Sequence, residues 1–265
     1  MKPTNHPFGI TITTSISIRA NPDHKSELLS QLLFGESFTI IQKIEDWLLI
    51  NTLPENLQGW IPDHSYLPVK SPGLNPGDPG CYVNLEIAMI SPIDYSGYPI
   101  SVTPGSTFPC KPEIGKEFKL GNRSYRFESP VPEAPVITDN YNMDALALIF
   151  IHSPYLWGGR CLFGIDNSGL IQLVYKMRDI SLPGNLAELV QLGKSVPFAH
   201  DAQPGDLAFF ENKEGDIIHA GIITKPNKIV HCYGSVREDL LDHAGIYDPR
   251  EEKYLFYLRI INRLL

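Results

Sequence analysis

Two proline- and glycine-rich joints, Pro68 to Gly80 (PVKSPGLNPGDPG) and Ser129 to Val136 (SPVPEAPV), interrupt the chain where neither a helix nor a central strand can run. They predict three units: 1–67, 68–130 and 131–265. The first carries short runs rich in β-branched and aromatic residues: Ile10 to Ile18, Phe38 to Ile44, Trp47 to Asn51 and Gly59-Trp60-Ile61. That pattern predicts a small barrel. The second unit alternates short apolar runs, Tyr82 to Ile90, Ile100 to Val102, Phe118 to Leu120 and Tyr125 to Phe127, with turns such as Gly121-Asn122. It reads as a second, divergent barrel, the alternative being one irregular β domain across both units. With 23 Pro and 21 Gly in the chain, more sheet than helix is expected.

The third unit changes character. Asn142 to Ile151 and Ser168 to Met177 place apolar residues at helical spacing, and Leu186 to Leu192 adds a short third helix. Compact apolar runs follow at Leu207 to Phe210, Ala220 to Thr224, Lys228 to His231 and Tyr254 to Ile261, separated by turn residues. Helices first and an antiparallel sheet afterwards predict an α+β domain. The run Asp248 to Lys253 (DPREEK) reads as a solvated turn.

A formal net charge of -8 argues against a nucleic-acid partner, because phosphate binding needs clustered Lys and Arg. Residues 1–10 lack the apolar core of a secretory signal and no later stretch has the ~20 apolar residues of a membrane span. A cytoplasmic address is the expectation, and an envelope address if a signal has been trimmed. Cys81, Cys110, Cys161 and Cys232 are too dispersed for a zinc site or a disulfide framework and read as reduced thiols. Neither a metal nor another cofactor is expected.

The chemistry concentrates in Pro154-Tyr-Leu-Trp-Gly-Gly-Arg-Cys-Leu-Phe-Gly-Ile-Asp-Asn-Ser-Gly169, where glycines precede a helix starting near Ser168. Unpaired N–H groups at such a start can hold an anion or a developing oxyanion. Downstream come Gln203-Pro-Gly-Asp-Leu-Ala-Phe-Phe210, then Ile218-His-Ala-Gly-Ile222, then Val230-His-Cys-Tyr-Gly234. Together these resemble the NlpC-type peptidoglycan endopeptidases, papain-like cysteine peptidases whose pattern is Tyr-x-Trp-Gly-Gly, a spacer, and Gly-x-Asp-Cys-Ser-Gly. The resemblance covers Asn142 to about Asp242. Upstream, the Arg19 to Pro22 turn, Leu32 to Glu36, Asp46-Trp47 and Gly59-Trp60-Ile61 resemble bacterial SH3-like domains. The implied fold is α+β: a papain-like NlpC-type domain, helices packed on an antiparallel sheet, preceded by two small SH3-like β-barrels.

The resemblance also implies roles. His219 is the general base, His231 its orienter, and the N–H of Asn167 an oxyanion donor with Tyr155 bordering that site. Asp166, Ser168, Asn185 and Trp157 fall at substrate-binding positions, and the branch implied cleaves γ-D-glutamyl to diamino-acid bonds in short murein peptides. Asp166 reads equally as a helix cap, and Tyr155 and Trp157 as core aromatics, the reading preferred for Trp157. Trp47 and Trp60 read as barrel core or rim.

The departure is at position 167, where the family has cysteine. A carboxamide offers no thiolate, so the covalent route is closed and on the order of 10⁶ in turnover is at stake. Neither Cys161 nor Cys232 occupies the helix start. Family members also carry Arg-Asp after Leu-Pro, whereas this chain has Gly184-Asn185, and two independent losses favour natural drift over a laboratory replacement. Two functions follow: a disabled γ-D-glutamyl-L-diamino-acid endopeptidase, or a pseudoenzyme that binds murein peptides or a protein partner.

Overall fold

The computed structural model describes residues 7–94, 97–128 and 143–265, so the joint at Ser129 to Val136 lies outside the described residues. The contacts divide them into two units. One takes the described residues before 129 with Gly158–Cys161 and Lys176–Ser181; the other takes the rest from Met143 onward.

In the first unit β1 (Phe8–Thr11), β2 (Ser15–Arg19), β3 (Leu28–Leu33), β4 (Ser37–Ile44), β5 (Trp47–Thr52), β6 (Gln58–Pro62) and β7 (Tyr66–Val69) form one sheet in the order β3-β2-β6-β5-β4-β1-β7. Burial alternates along β2 and β5, so every second side chain enters a core of Ile16, Ile18, Phe38, Leu48, Ile50 and Ile61. The run predicted from Ile10 to Ile18 is two strands, β1 and β2, because Ile12 to Thr14 turn the chain. Trp47 and Trp60 are half-buried.

A second set follows: β8 (Tyr82–Val83), β9 (Ala88–Pro92), β10 (Ile100–Val102), β11 (Thr107–Phe108), β12 (Glu117–Leu120) and β13 (Arg123–Phe127). Four of them make a sheet in the order β10-β9-β13-β12, and β11 pairs with β8. Its core takes Ile10 and Phe34 from the first sheet's segment along with Phe108, Phe118, Tyr125 and Phe127. Phe34 meets Tyr125 edge-on at 5.5 Å and Phe108 at 5.7 Å, an aromatic packing that ties the two sheets together.

The same unit buries an ionic cluster. Arg160 Nη1 donates to both oxygens of Glu36 at 2.8 Å, and Arg160 Nη2 lies 3.3 Å from Glu55. Lys176 donates to Glu36 Oε1 and, at 2.6 Å, to the carbonyl of Gly105. Burial alone would push the Glu36 carboxyl up; Arg160 and Lys176 outweigh it and hold the group below its ordinary value.

In the second unit α1 (Met143–Leu148) precedes β14 (Arg160–Cys161, grouped with the first unit), β15 (Gly164–Ile165), α2 (Asn167–Lys176) and α3 (Leu186–Leu189). Residues Gly169 to Met177 are all buried, which marks α2 as a central helix rather than a surface one. Then come β16 (Lys194–Val196), β17 (Leu207–Glu211), β18 (Ile217–Lys225), β19 (Lys228–Tyr233), β20 (Ser235–Leu241), β21 (Gly245–Asp248) and β22 (Lys253–Arg263). Their order is β16-β22-β17-β18-β19-β20-β21, and β21 pairs back onto β22. The antiparallel sheet therefore closes on itself, which strand-by-strand reading did not foresee. Register shifts at Phe209/Phe210, Ile223/Lys225 and Ile246/Tyr247 bend the strands enough for closure. Ala208, Phe210, Ile223, Ile229, Leu241, Ile246 and Ile261 pack together as a core of this sheet. Among the described residues no helix is long and apolar enough to cross a membrane.

Candidate active site

The site is built by α2, β18 and β19. Asp166 starts the helix as its cap: one carboxylate oxygen accepts from the N–H of Gly169 at 2.7 Å and from the hydroxyl of Ser168 at 2.8 Å. Asn167 is thereby placed at the first turn, 8% exposed. On the sheet, Gly221 faces His231 across the β18–β19 pair, and His219, two residues earlier, shares that face. A Cβ at Gly221 would meet the carbonyl oxygen of Val230 and the Ile229 side chain at 2.8 Å, so the absence of a side chain permits this close approach.

Three predicted residues converge here. Asn167 Nδ2 lies 3.0 Å from His219 Nδ1, His219 Nε2 lies 2.8 Å from His231 Nδ1, and His231 Nε2 lies 2.9 Å from Asp239 Oδ2. The Cys232 N–H donates to Asn167 Oδ1 at 3.1 Å. A carboxamide nitrogen only donates and a carboxylate only accepts, so each proton position follows. His219 accepts at Nδ1 and carries its proton on Nε2; His231 does the same. Both imidazoles are neutral, and every donor in the series points toward Asp239.

Electrostatics agrees with both imidazoles being neutral. Burial, and then the neighbouring His231, hold His219 well below the usual histidine range. Burial also lowers His231, against the pull of Asp239. Burial would raise the Asp239 carboxyl, but hydrogen bonds from His231 and Arg237 bring it below its ordinary value. Arg237 grips Asp239 with Nε at 2.6 Å and Nη2 at 2.8 Å, and Nη2 also reaches Asp248 at 3.2 Å. Phe256 lies flat on His219, with centroids 3.7 Å apart and planes 2° from parallel, which fixes the plane of the ring.

A pH dependence follows. Both histidines have folded-state values below their unfolded ones, so the folded form binds fewer protons and is favoured above the unfolded value near 6.5. Stability is expected to hold at pH 7 to 8 and to fall below about 6.5 by up to ~1.4 kcal/mol per pH unit per histidine, until the folded values are reached. Urea midpoints at pH 7.5 and 5.5 measure this. Equal midpoints in the wild type would contradict the neutral pair.

The other predicted residues lie as follows. Tyr155 is 39% exposed, its N–H donates to the Gly234 carbonyl at 3.1 Å, and burial with the charge of Asp166 raises its phenol. Trp157 is 63% exposed, which corrects the expectation of a core aromatic at this position. Asn185 is the cap of α3, accepting from the Glu188 N–H at 2.8 Å. The predicted solvated turn is corrected at its first residue: Asp248 is 4% exposed because Arg237 draws it in. Cys232 is buried, with its thiol pushed up by burial and then by Asp166, and none of the four cysteines is in a disulfide.

Sequence reading missed Asp239, Arg237 and Phe256. The signal for the first two was Gly234, whose φ of 72° makes a tight turn between β19 and β20. That hairpin sets His231 opposite Arg237 and Ile229 opposite Asp239, which puts the carboxylate diagonal to the imidazole. Phe256 sits on a strand far along the chain and had no local signal.

The NlpC/P60 family profile matches residues 152–253, and the profile described as the bacterial dipeptidyl-peptidase SH3 domain matches residues 18–65. The chain is 33% identical over 129 residues to the γ-D-glutamyl-L-lysine dipeptidyl-peptidase of Bacillus subtilis, covering 45% of this chain and 43% of that protein. To the protein of the same name from Bacillus cereus it is 24% identical over 230 residues, 78% of this chain and 67% of the relative. The chain thus spans less than half the length of the B. subtilis relative. A crystal structure of an NlpC/P60 family protein from B. cereus superposes with a TM-score of 0.73 at 18% identity, over 97% of this chain and 99% of the other.

Proposed function

Residues 152–253 are an NlpC/P60 family domain, and from that premise we propose that this chain recognises short γ-D-glutamyl peptides of the cell wall and retains them uncleaved. The names of the Bacillus relatives supply the substrate class. Uncleaved retention rests on one observation, the hydrogen bond from Asn167 Nδ2 to His219 Nδ1. In the resembling enzymes a thiol stands at the helix start and the histidine takes its proton. Here the side chain at 167 has no acidic proton to give, and its amide covers the lone pair that would receive one. Tyr155 and Trp157, both partly exposed, are available to border a bound peptide.

The test is calorimetric titration of the full chain with L-Ala-γ-D-Glu-L-Lys, followed by chromatography of the mixture. The expected result is a saturable heat with Kd somewhere between about 1 μM and 1 mM, and intact tripeptide after overnight incubation. No heat at millimolar peptide would overturn recognition; release of free lysine would overturn retention.

A further inference from the structure

The chain of hydrogen bonds that begins at Asn167 does not end in a closed core. Behind it, Arg237 and Asp239 line a cavity of about 430 Å³ whose apolar part is Leu148 and Ile151 and whose outer rim carries His152 and Arg250. The carboxylates there are already engaged. Asp239 accepts from His231 and Arg237; Asp248 accepts from Arg237 and from the N–H of Arg250 at 2.8 Å. Glu238 accepts from Thr224 at 3.1 Å and sits 3.6 Å from Lys228.

The cationic groups are not so engaged. Among the described residues, the guanidinium of Arg250 and the ring of His152 have no hydrogen-bond or ion-pair partner, and Arg237 meets its carboxylates through Nε and Nη2, leaving Nη1 unbonded. The Arg237 side chain is 29% exposed, so that edge is open to a ligand. Two guanidiniums and an imidazole share this cavity with Glu238 and Asp239, both of which are engaged elsewhere, so the groups left to meet a ligand are cationic or neutral donors. Guanidinium edges match the planar or tetrahedral oxygens of carboxylate and phosphate.

We propose that this cavity is a binding site for a small oxyanion, the carboxylate or phosphate of a small ligand, and that its occupancy is transmitted to the two histidines through Arg237. An oxyanion on Nη1 weakens the hold of Arg237 on Asp239. The carboxylate then accepts more strongly from His231 Nε2, and the effect passes along the series to His219 and Asn167. This site is separate from the peptide-binding reading above and stands whether or not that reading does.

The test is NMR of the full chain with ¹⁵N-labelled histidine at pH 7.5, titrated with sodium phosphate or sodium acetate at ionic strength held constant with sodium chloride. The His231 Nε2 proton is expected to move downfield and saturate. Saturation with acetate as well as phosphate shows that the site takes carboxylates; saturation with phosphate alone identifies a phosphate-bearing ligand. Arg250→Gln, at an exposed position, is expected to raise the Kd about tenfold or more. His152→Asn is the second variant, because asparagine tolerates the φ of 70° at that position, and it is expected to weaken binding less than Arg250→Gln. A shift that chloride reproduces, no saturation with either anion, or an unchanged Kd in Arg250→Gln would overturn the site.

Discussion

Asn167→Cys is expected to produce a chain that releases lysine from L-Ala-γ-D-Glu-L-Lys and is less stable than the wild type by about 1–3 kcal/mol. The two effects have one origin. Asn167 meets two partners, His219 Nδ1 at 3.0 Å and the Cys232 N–H at 3.1 Å, in a site where both groups are shielded from water. A cysteine side chain is shorter by one heavy atom and is a weak acceptor, so the Cys232 N–H loses its partner. His219 in turn regains a free Nδ1 lone pair facing a thiol at a helix start, where the dipole favours thiolate. Lysine release, read by chromatography, should rise from background toward the ~10⁶ that separates a complete triad from one without its nucleophile. A variant that stays inert while its urea midpoint does not move would show that residue 167 is not the disabling change.

Glu36→Gln is expected to cost about 3–5 kcal/mol, the usual penalty for removing one partner from a buried ionic group. Glu36 answers two cations at once, Arg160 and Lys176, and all three are at most 6% exposed. Without its charge both cations stay buried, with Glu55 left as the carboxylate near Arg160. The carboxyl of Glu36 is held below its unfolded value, so its contribution is complete at neutral pH and is lost as pH falls through the carboxylate range. The difference between wild type and variant should therefore shrink on acidification. A urea midpoint at pH 7 giving less than 1 kcal/mol would mean the cluster is much better hydrated than its burial implies. Replacing Glu36, Glu55, Arg160 and Lys176 together by apolar residues of similar size is expected to recover most of the loss, because no member of the ionic cluster is then left buried without its partner.

Local signals were legible in the chain. The helix predicted from Ser168 runs Asn167–Lys176, and the apolar runs at 207–210 and 228–231 lie within β17 and β19. Asn167, His219 and His231 were each named from short motifs, and the structure brings them within hydrogen-bond reach of one another. What escaped was set by partners distant in sequence. β3 is a strand because β2 pairs with it, despite the polar Ser30 and Gln31 in its middle. Asp248 reads as a surface acid until Arg237, eleven residues earlier, is seen to bond it. Phe256 becomes part of the site only when β22 lies beside β17, which holds Leu258 opposite Phe210. Glu36 was read as part of a barrel motif; the cations that give it its energetic weight lie 124 and 140 residues later.

The closure of the second sheet has a temporal consequence. β22 pairs with β16, β17 and β21, and it also supplies the ring under His219. During synthesis the segments bearing both histidines leave the ribosome well before this strand does, and contacts so distant in sequence form late. The imidazole pair therefore waits, unsupported on one side, until β22 has docked, and the site matures only as the sheet closes.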